Sequence, residues 1–235
     1  MAVDVFCMVV AGKIFRLREK LDLNTVAAKL KDYRRESIQP LDGGEVNLIT
    51  EVKDISVRGS EMEALFSRDE VVEIYQRGSI VSQVRTRETP ILFSEFKGEI
   101  LLTILERKLQ ANNIANQISK VLFITSGQIV EAKILPETLK SFHEQNPEAT
   151  KVIFFDDVDI PNINKLSLYG ESLANTILYN EYCSHGKIWY IVFRSKKYGY
   201  IAGITRNAIV TIFNNISKDE FLNYVKNEVF PLLHI

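Results

Sequence analysis

Thr89-Pro-Ile-Leu-Phe-Ser94 and Gly98-Glu-Ile-Leu-Leu-Thr103 are two apolar runs separated by a Lys97-Gly98 turn. Each run is too short for a helix and rich in the residue types that fill strands, so the pair predicts consecutive strands over 80–93 and 99–105. Upstream, the same rhythm predicts strands at 45–57 and 69–77, punctuated by Arg58-Gly59-Ser60 and Gly78-Ser79. Strands joined by tight turns pair antiparallel, which makes this region a meander and not a parallel sheet.

Helices flank the meander. Asp22 is a suitable N-cap, and Leu23, Val26, Ala27 and Leu30 follow at i, i+3, i+4 and i+7, predicting a helix over 22–33. Pro40 to Gly44 reads as a loop. A strand at 2–10 precedes this helix, and a second helix at 107–120 closes the block with Leu109, Ile114 and Ile118. The order is β-α-β-β-β-β-α. A middle segment follows, with strands at 121–125 and 128–134 around Ser126-Gly127, then a helix from Pro136 to about 145. The last block predicts a strand at 151–156, a helix at 172–183, strands at 187–194, 199–205 and 208–213, and a helix opened by the capping box Ser217-Lys-Asp-Glu220. Its β-α-β-β-β-α order nearly repeats the first. The expected fold class is α+β: curved antiparallel sheets with helices on one side, in two related halves. The corresponding domains are 1–120 and 151–235, with 121–150 as a connecting hairpin and helix.

The first block resembles the half-repeat of the TATA-binding protein family. Lys20-Leu-Asp-Leu-Asn-Thr-Val-Ala-Ala28 is similar to that family's first-helix segment. Thr89 to Ser94, running through a glycine turn into Gly98 to Thr103, looks like its fourth and fifth strands. The resemblance covers about 1–120 and implies a curved sheet whose face engages DNA. It places Phe93 at the position of an intercalating phenylalanine, a wedge of the kind minor-groove binders insert between base steps. Glu95-Phe96-Lys97 is an insertion relative to the family, and Glu51, Asp54, Glu70, Glu73 and Glu95 would oppose a phosphate backbone where they share its face.

Residue spacing supplies further candidates. Arg85 and Arg87 lie two apart and share strand parity with Ile91 and Phe93, which sets guanidinium groups beside an aromatic ring. With Arg77 and Phe96 they form a candidate nucleic-acid or protein-partner surface. The competing reading is a solvated strand face over a buried Phe93. Asp156, Asp157 and Asp159 end a buried-type strand, where α/β enzymes often place a metal. Their spacing resembles the first motif of haloacid-dehalogenase-type phosphatases, and Glu131-Ala-Lys133 looks like half of a restriction-type nuclease core. Together they define an alternative metal-dependent phosphoester hydrolase. Residues 107–130 contain no acidic side chain to complete the nuclease site. Cys7, Cys183, His143, His185 and His234 show no metal-ligand spacing. Ile188-Trp-Tyr-Ile-Val-Phe193 is the most strand-like stretch, and with Tyr169, Tyr198 and Tyr200 it offers either a partner patch or a central core strand.

Composition narrows the classes. Among 235 residues, 29 basic and 30 acidic side chains give a net charge of −1. A binder working through bulk basicity would carry a pI above about 9, so any nucleic-acid surface must be local. Apolar residues are 46 % of the chain, enough for packed cores, yet no run reaches the ~18 residues of a membrane span. Asp4 interrupts the early apolar run, unlike a signal peptide. Two cysteines make no disulfide framework, and no glycine-rich phosphate loop is present. The expectation is a cytoplasmic, non-enzymatic binding protein without cofactor or membrane partner. A homodimeric scaffold paired through sheet edges is a further alternative.

Overall fold

The computed structural model describes residues 9–41, 44–145 and 149–235. The chain is α+β, with a large antiparallel sheet that does not close into a barrel. Its elements, in order, are β1 (Val10–Leu17), α1 (Leu23–Lys31), β2 (Arg34–Leu41), β3 (Gly44–Arg58), β4 (Glu61–Gln76), β5 (Ser79–Phe96), β6 (Glu99–Ile104), α2 (Lys108–Phe123), β7 (Ile129–Glu131), α3 (Pro136–Glu144), β8 (Thr150–Asp156), β9 (Leu166–Tyr169), α4 (Ile177–His185), β10 (Lys187–Arg194), β11 (Ile201–Thr205), β12 (Ile209–Ile212) and α5 (Lys218–Tyr224). No helix among the described residues is long and apolar enough to cross a membrane. The chain folds as two compact units. One comprises residues 16–105 and 109–130, the other the described residues up to Phe15 together with 106–108 and 131–235.

In the first unit, β2 to β6 form an antiparallel meander. Met62, Ala64 and Phe66 on β4 pair with Phe93, Ile91 and Thr89 on β5, and all six are buried. Helix α1 starts where Asp22 caps it, its carboxylate accepting from Thr25 N at 2.9 Å. The buried stripe of α1 is Leu23, Val26 and Leu30, and that of α2 includes Ala111, Ile114, Ala115, Ile118 and Leu122. Beyond Arg68 the β4–β5 hairpin leaves the core, and Ile74, Tyr75 and Ile80 are exposed.

Four expectations change here. The strand expected at 69–77 is β4, which already begins at Glu61. Residues 34–41 are a strand, not a loop. Pro40 sits in it opposite Glu45 on the outermost strand, where a missing N–H breaks no ladder. Residues 121–125 are not a strand, because Leu122 continues the buried stripe of Ile118 by four residues and α2 runs on to Phe123. The strand expected at 2–10 falls almost wholly outside the described residues, and β1 begins at Val10.

In the second unit the strand order is β1-β12-β11-β10-β8-β9. Ile153, Phe155, Ile191, Phe193, Ile204 and Val210 form one buried face. Phe142 of α3 meets Phe193 edge-on at 4.7 Å, and Tyr182 of α4 meets Phe155 at 5.8 Å, so these helices cover that face. Helix α5 opens with the expected capping box: Glu220 N donates to Ser217 Oγ, and Ser217 N donates to Glu220 Oε2 at 2.7 Å. Strand β9 is a short addition that the periodicity did not reveal.

Candidate functional site

The arginine–phenylalanine surface of β5 does not assemble. Phe93 is completely buried. Strand parity does place it with Arg85, but the strand passes from the open hairpin into the core between them, where Thr89 and Ile91 are already covered. Arg85 is exposed and grips Glu70, with Nη2 at 2.5 Å and Nε at 3.2 Å from Oε1. Arg68 reaches the other oxygen of Glu70 at 3.3 Å. Hydrogen bonding to Arg85 holds the Glu70 carboxyl below its ordinary range. Arg87 lies half-buried in a narrow crevice with Arg68 and Gln110. Arg77 is exposed in the left-handed region (φ 49°) at the hairpin turn, and Phe96 is half-buried under Lys97 Nζ, 5.3 Å from its ring centre.

The carboxylates of the alternative hydrolase are engaged by neighbouring side chains and do not converge on one point. Asp156 Oδ2 accepts from Arg206 Nη2 at 2.6 Å. Asp157, in the left-handed region (φ 51°), faces Arg206 at 3.7 Å and Lys187 at 3.8 Å. Asp159 meets His185 Nδ1 at 2.7 Å. Glu131 accepts from buried Lys13 and from Lys133. Among the described residues no three His, Cys, Asp or Glu side chains come together as a metal site. Cys183 is half-buried, its thiol pushed up by burial, and His185 turns to Asp159, so the Cys183-Ser-His185 run is no nucleophile–base pair. His143 is buried against Thr150 Oγ1 at 2.7 Å, and His234 bridges Lys133 through the backbone. Cys7 lies outside the described residues.

Chemistry gathers instead on the other face of the second unit's sheet, opposite α3 and α4. Phe154, Tyr190 and Val192 alternate with the buried residues of β8 and β10 and are half-exposed. An irregularity in register between Ile188 and Tyr190 places Trp189 as an extra residue. Both its ring and that of Tyr190 therefore reach Phe154, at 5.8 and 5.6 Å. Tyr169 on β9 joins at 5.8 Å and is 67 % exposed. Gly203 makes room for this cluster. A Cβ there would lie 2.4 Å from Tyr190 Oη, so the Tyr190 ring lies flat across β11.

A cleft of about 110 Å³ opens at the end of this face, lined by Lys108, Asp156, Trp189, Thr205, Arg206 and Asn207 among others. The β11–β12 turn that carries Arg206 is held on both sides. Arg206 N donates to Trp189 O at 2.9 Å, and Ile134 N donates to Arg206 O at 2.8 Å. Lys133 Nζ donates to Asn207 Oδ1 at 2.7 Å. Two buried polar atoms of the cleft residues lack a partner among the described residues: Asp156 Oδ1, an acceptor, and Trp189 Nε1, a donor. Burial pushes the Asp156 carboxyl up, against the opposing pull of Arg206. Lys165 Nζ stands 5.1 Å over the Trp189 ring. The sequence marked Trp189, Tyr190 and Asp156 separately. It did not mark Arg206, whose only signal is its place between two short apolar strands.

No protein-family model matches this sequence, and no curated protein matches it at a significant level.

Proposed function

We propose that this chain is a non-enzymatic binding protein that takes a single-stranded nucleic acid on the open face of β8 to β11. One observation carries the reading: Phe154, Tyr169, Trp189 and Tyr190 form a half-exposed aromatic platform beside a cleft lined by Lys108 and Arg206. Proteins that track single strands combine aromatic stacking surfaces with cations that follow the phosphates. Lys165, Lys187 and Arg194 are exposed around the same strands and supply those cations. An open sheet face suits unstacked bases better than a duplex, whose bases are already stacked on one another. The near-neutral net charge fits a local binding face and argues against a bulk electrostatic one.

In this reading the nucleic-acid surface expected from the TATA-binding-like resemblance moves from Phe93 and the β5 arginines to the C-terminal sheet. Fluorescence anisotropy of labelled 12-nucleotide strands tests it. The reading predicts saturable binding of the single strand and weaker binding of the matching duplex. Three or four phosphate contacts predict a slope of about −2 to −3 in log affinity against log salt. Absence of binding to either form at low salt would overturn it.

A further inference from the structure

The cleft beside the platform has its own chemistry. Asp156 presents one oxygen to Arg206 and keeps the other, Oδ1, buried and without a partner among the described residues. Trp189, another lining residue, keeps its indole N–H buried and without a partner among the described residues. A buried polar group without a partner loses its bonds to water and gains nothing in return, so each of these atoms favours a ligand group that completes it. Lys108 and Arg206 add positive charge to the lining. A volume of about 110 Å³ is far below the ~300 Å³ of a typical small-molecule pocket, and admits only the edge of one planar ring.

We infer that the cleft reads the lactam edge of a base in the bound strand, an N–H beside a C=O, as found in guanine, thymine and uracil. This inference rests on the single-strand reading above. Asp156 Oδ1 accepts from the ring N–H. The neighbouring carbonyl oxygen has two lone pairs. One takes the Trp189 N–H, and the other faces the cationic lining. Adenine offers a donor but no carbonyl. Cytosine has a carbonyl, but its amino donor lies across an acceptor nitrogen, so an acceptor would face the carboxylate. A site with buried groups matched to one edge rejects the others because its atoms are then left unpaired.

The test uses the full chain and 12-nucleotide dA strands carrying one central substitution: dG, dT, dC or 2-aminopurine. 2-Aminopurine keeps the purine ring and its exocyclic amine but loses both the carbonyl and the ring N–H. Affinities are read by anisotropy at one salt concentration. Binding about tenfold tighter for dG or dT than for dA, dC or 2-aminopurine is expected, and the dG and dT arms show which ring the cleft prefers. Asp156→Asn, checked for folding by circular dichroism, should remove that preference, so that dG and dT strands bind no tighter than the plain dA strand. Strands that all bind equally would overturn the lactam inference and leave the single-strand reading standing. Failure of every strand to bind would overturn both. The comparison with 2-aminopurine needs no variant, so it holds even where Asp156→Asn fails to fold.

Discussion

Arg206 Nη2 donates to Asp156 Oδ2 across 2.6 Å, and the second carboxylate oxygen of Asp156 stays buried without a partner among the described residues. The pair joins β8 to the β11–β12 turn, fifty residues apart in sequence. Both side chains are about one-quarter exposed, so the pair is partly desolvated. Arg206→Ala would leave the Asp156 carboxyl with less compensation for its burial. The expected loss is about 2 kcal/mol of unfolding free energy, below the roughly 3–5 kcal/mol of a fully buried pair because of the residual exposure. Urea denaturation at pH 7 measures it. A change below about 0.5 kcal/mol would show that the pair does not hold the turn.

Gly203 and Tyr190 give a packing prediction. Gly203→Ala puts a methyl group 2.4 Å from Tyr190 Oη and 2.9 Å from two ring carbons. The ring must swing off β11 and away from Phe154. The expected cost is about 1–3 kcal/mol, with a lower thermal midpoint. On the proposed function, single-strand affinity falls as well, although position 203 carries no charge. Unchanged stability would mean that Tyr190 moves aside freely.

His143 sets part of the acid limb of stability. It is fully buried, and burial pushes its imidazole down to about 4 from an ordinary 6.5. Between these values the unfolded chain binds more protons than the native one, so unfolding free energy rises with pH. The His143 contribution is complete above pH 6.5 and is lost as pH falls toward 4, on the order of 3 kcal/mol. His143→Gln, which can still bond Thr150, should flatten this limb when urea midpoints at pH 7, 5.5 and 4.5 are compared. An equally steep limb in the variant would assign the effect to other groups.

Lys13 and Glu131 provide an asymmetric pair. Lys13 is fully buried, and burial pulls its ammonium below the usual lysine range while Glu131 opposes that shift. Glu131→Ala leaves a buried cation without its carboxylate and should cost about 3 kcal/mol. Lys13→Met removes the cation instead and leaves Glu131, which is partly exposed and still beside Lys133, so its cost should be smaller. Equal losses in the two variants, measured by chemical denaturation, would contradict the asymmetry.

What could be read from sequence was local. Asp22 and Ser217-Lys-Asp-Glu220 announce their helices because a cap acts within three residues. The β10 run Ile188 to Phe193 is legible from its composition alone. Residues 34–41 were not, since Pro40 argues against a strand until its edge position is known. The β5 arginine surface failed because parity assigns Arg85 and Phe93 to one side but cannot tell where the core begins along the strand. The cleft is the least legible feature. It needs Asp156, Trp189 and Arg206 from three strands or turns, and their meeting depends on two registers and an extra residue at Trp189.

Trp189 is the chain's single tryptophan, so its emission reports on the proposed platform without any label. Titrating the full chain with an unlabelled 12-nucleotide single strand at low salt is the most direct test of the central claim. Saturable quenching is expected, reversed by added salt and weaker with the matching duplex. Emission that stays constant while the strand binds by anisotropy would place the strand elsewhere on the molecule and contradict the account.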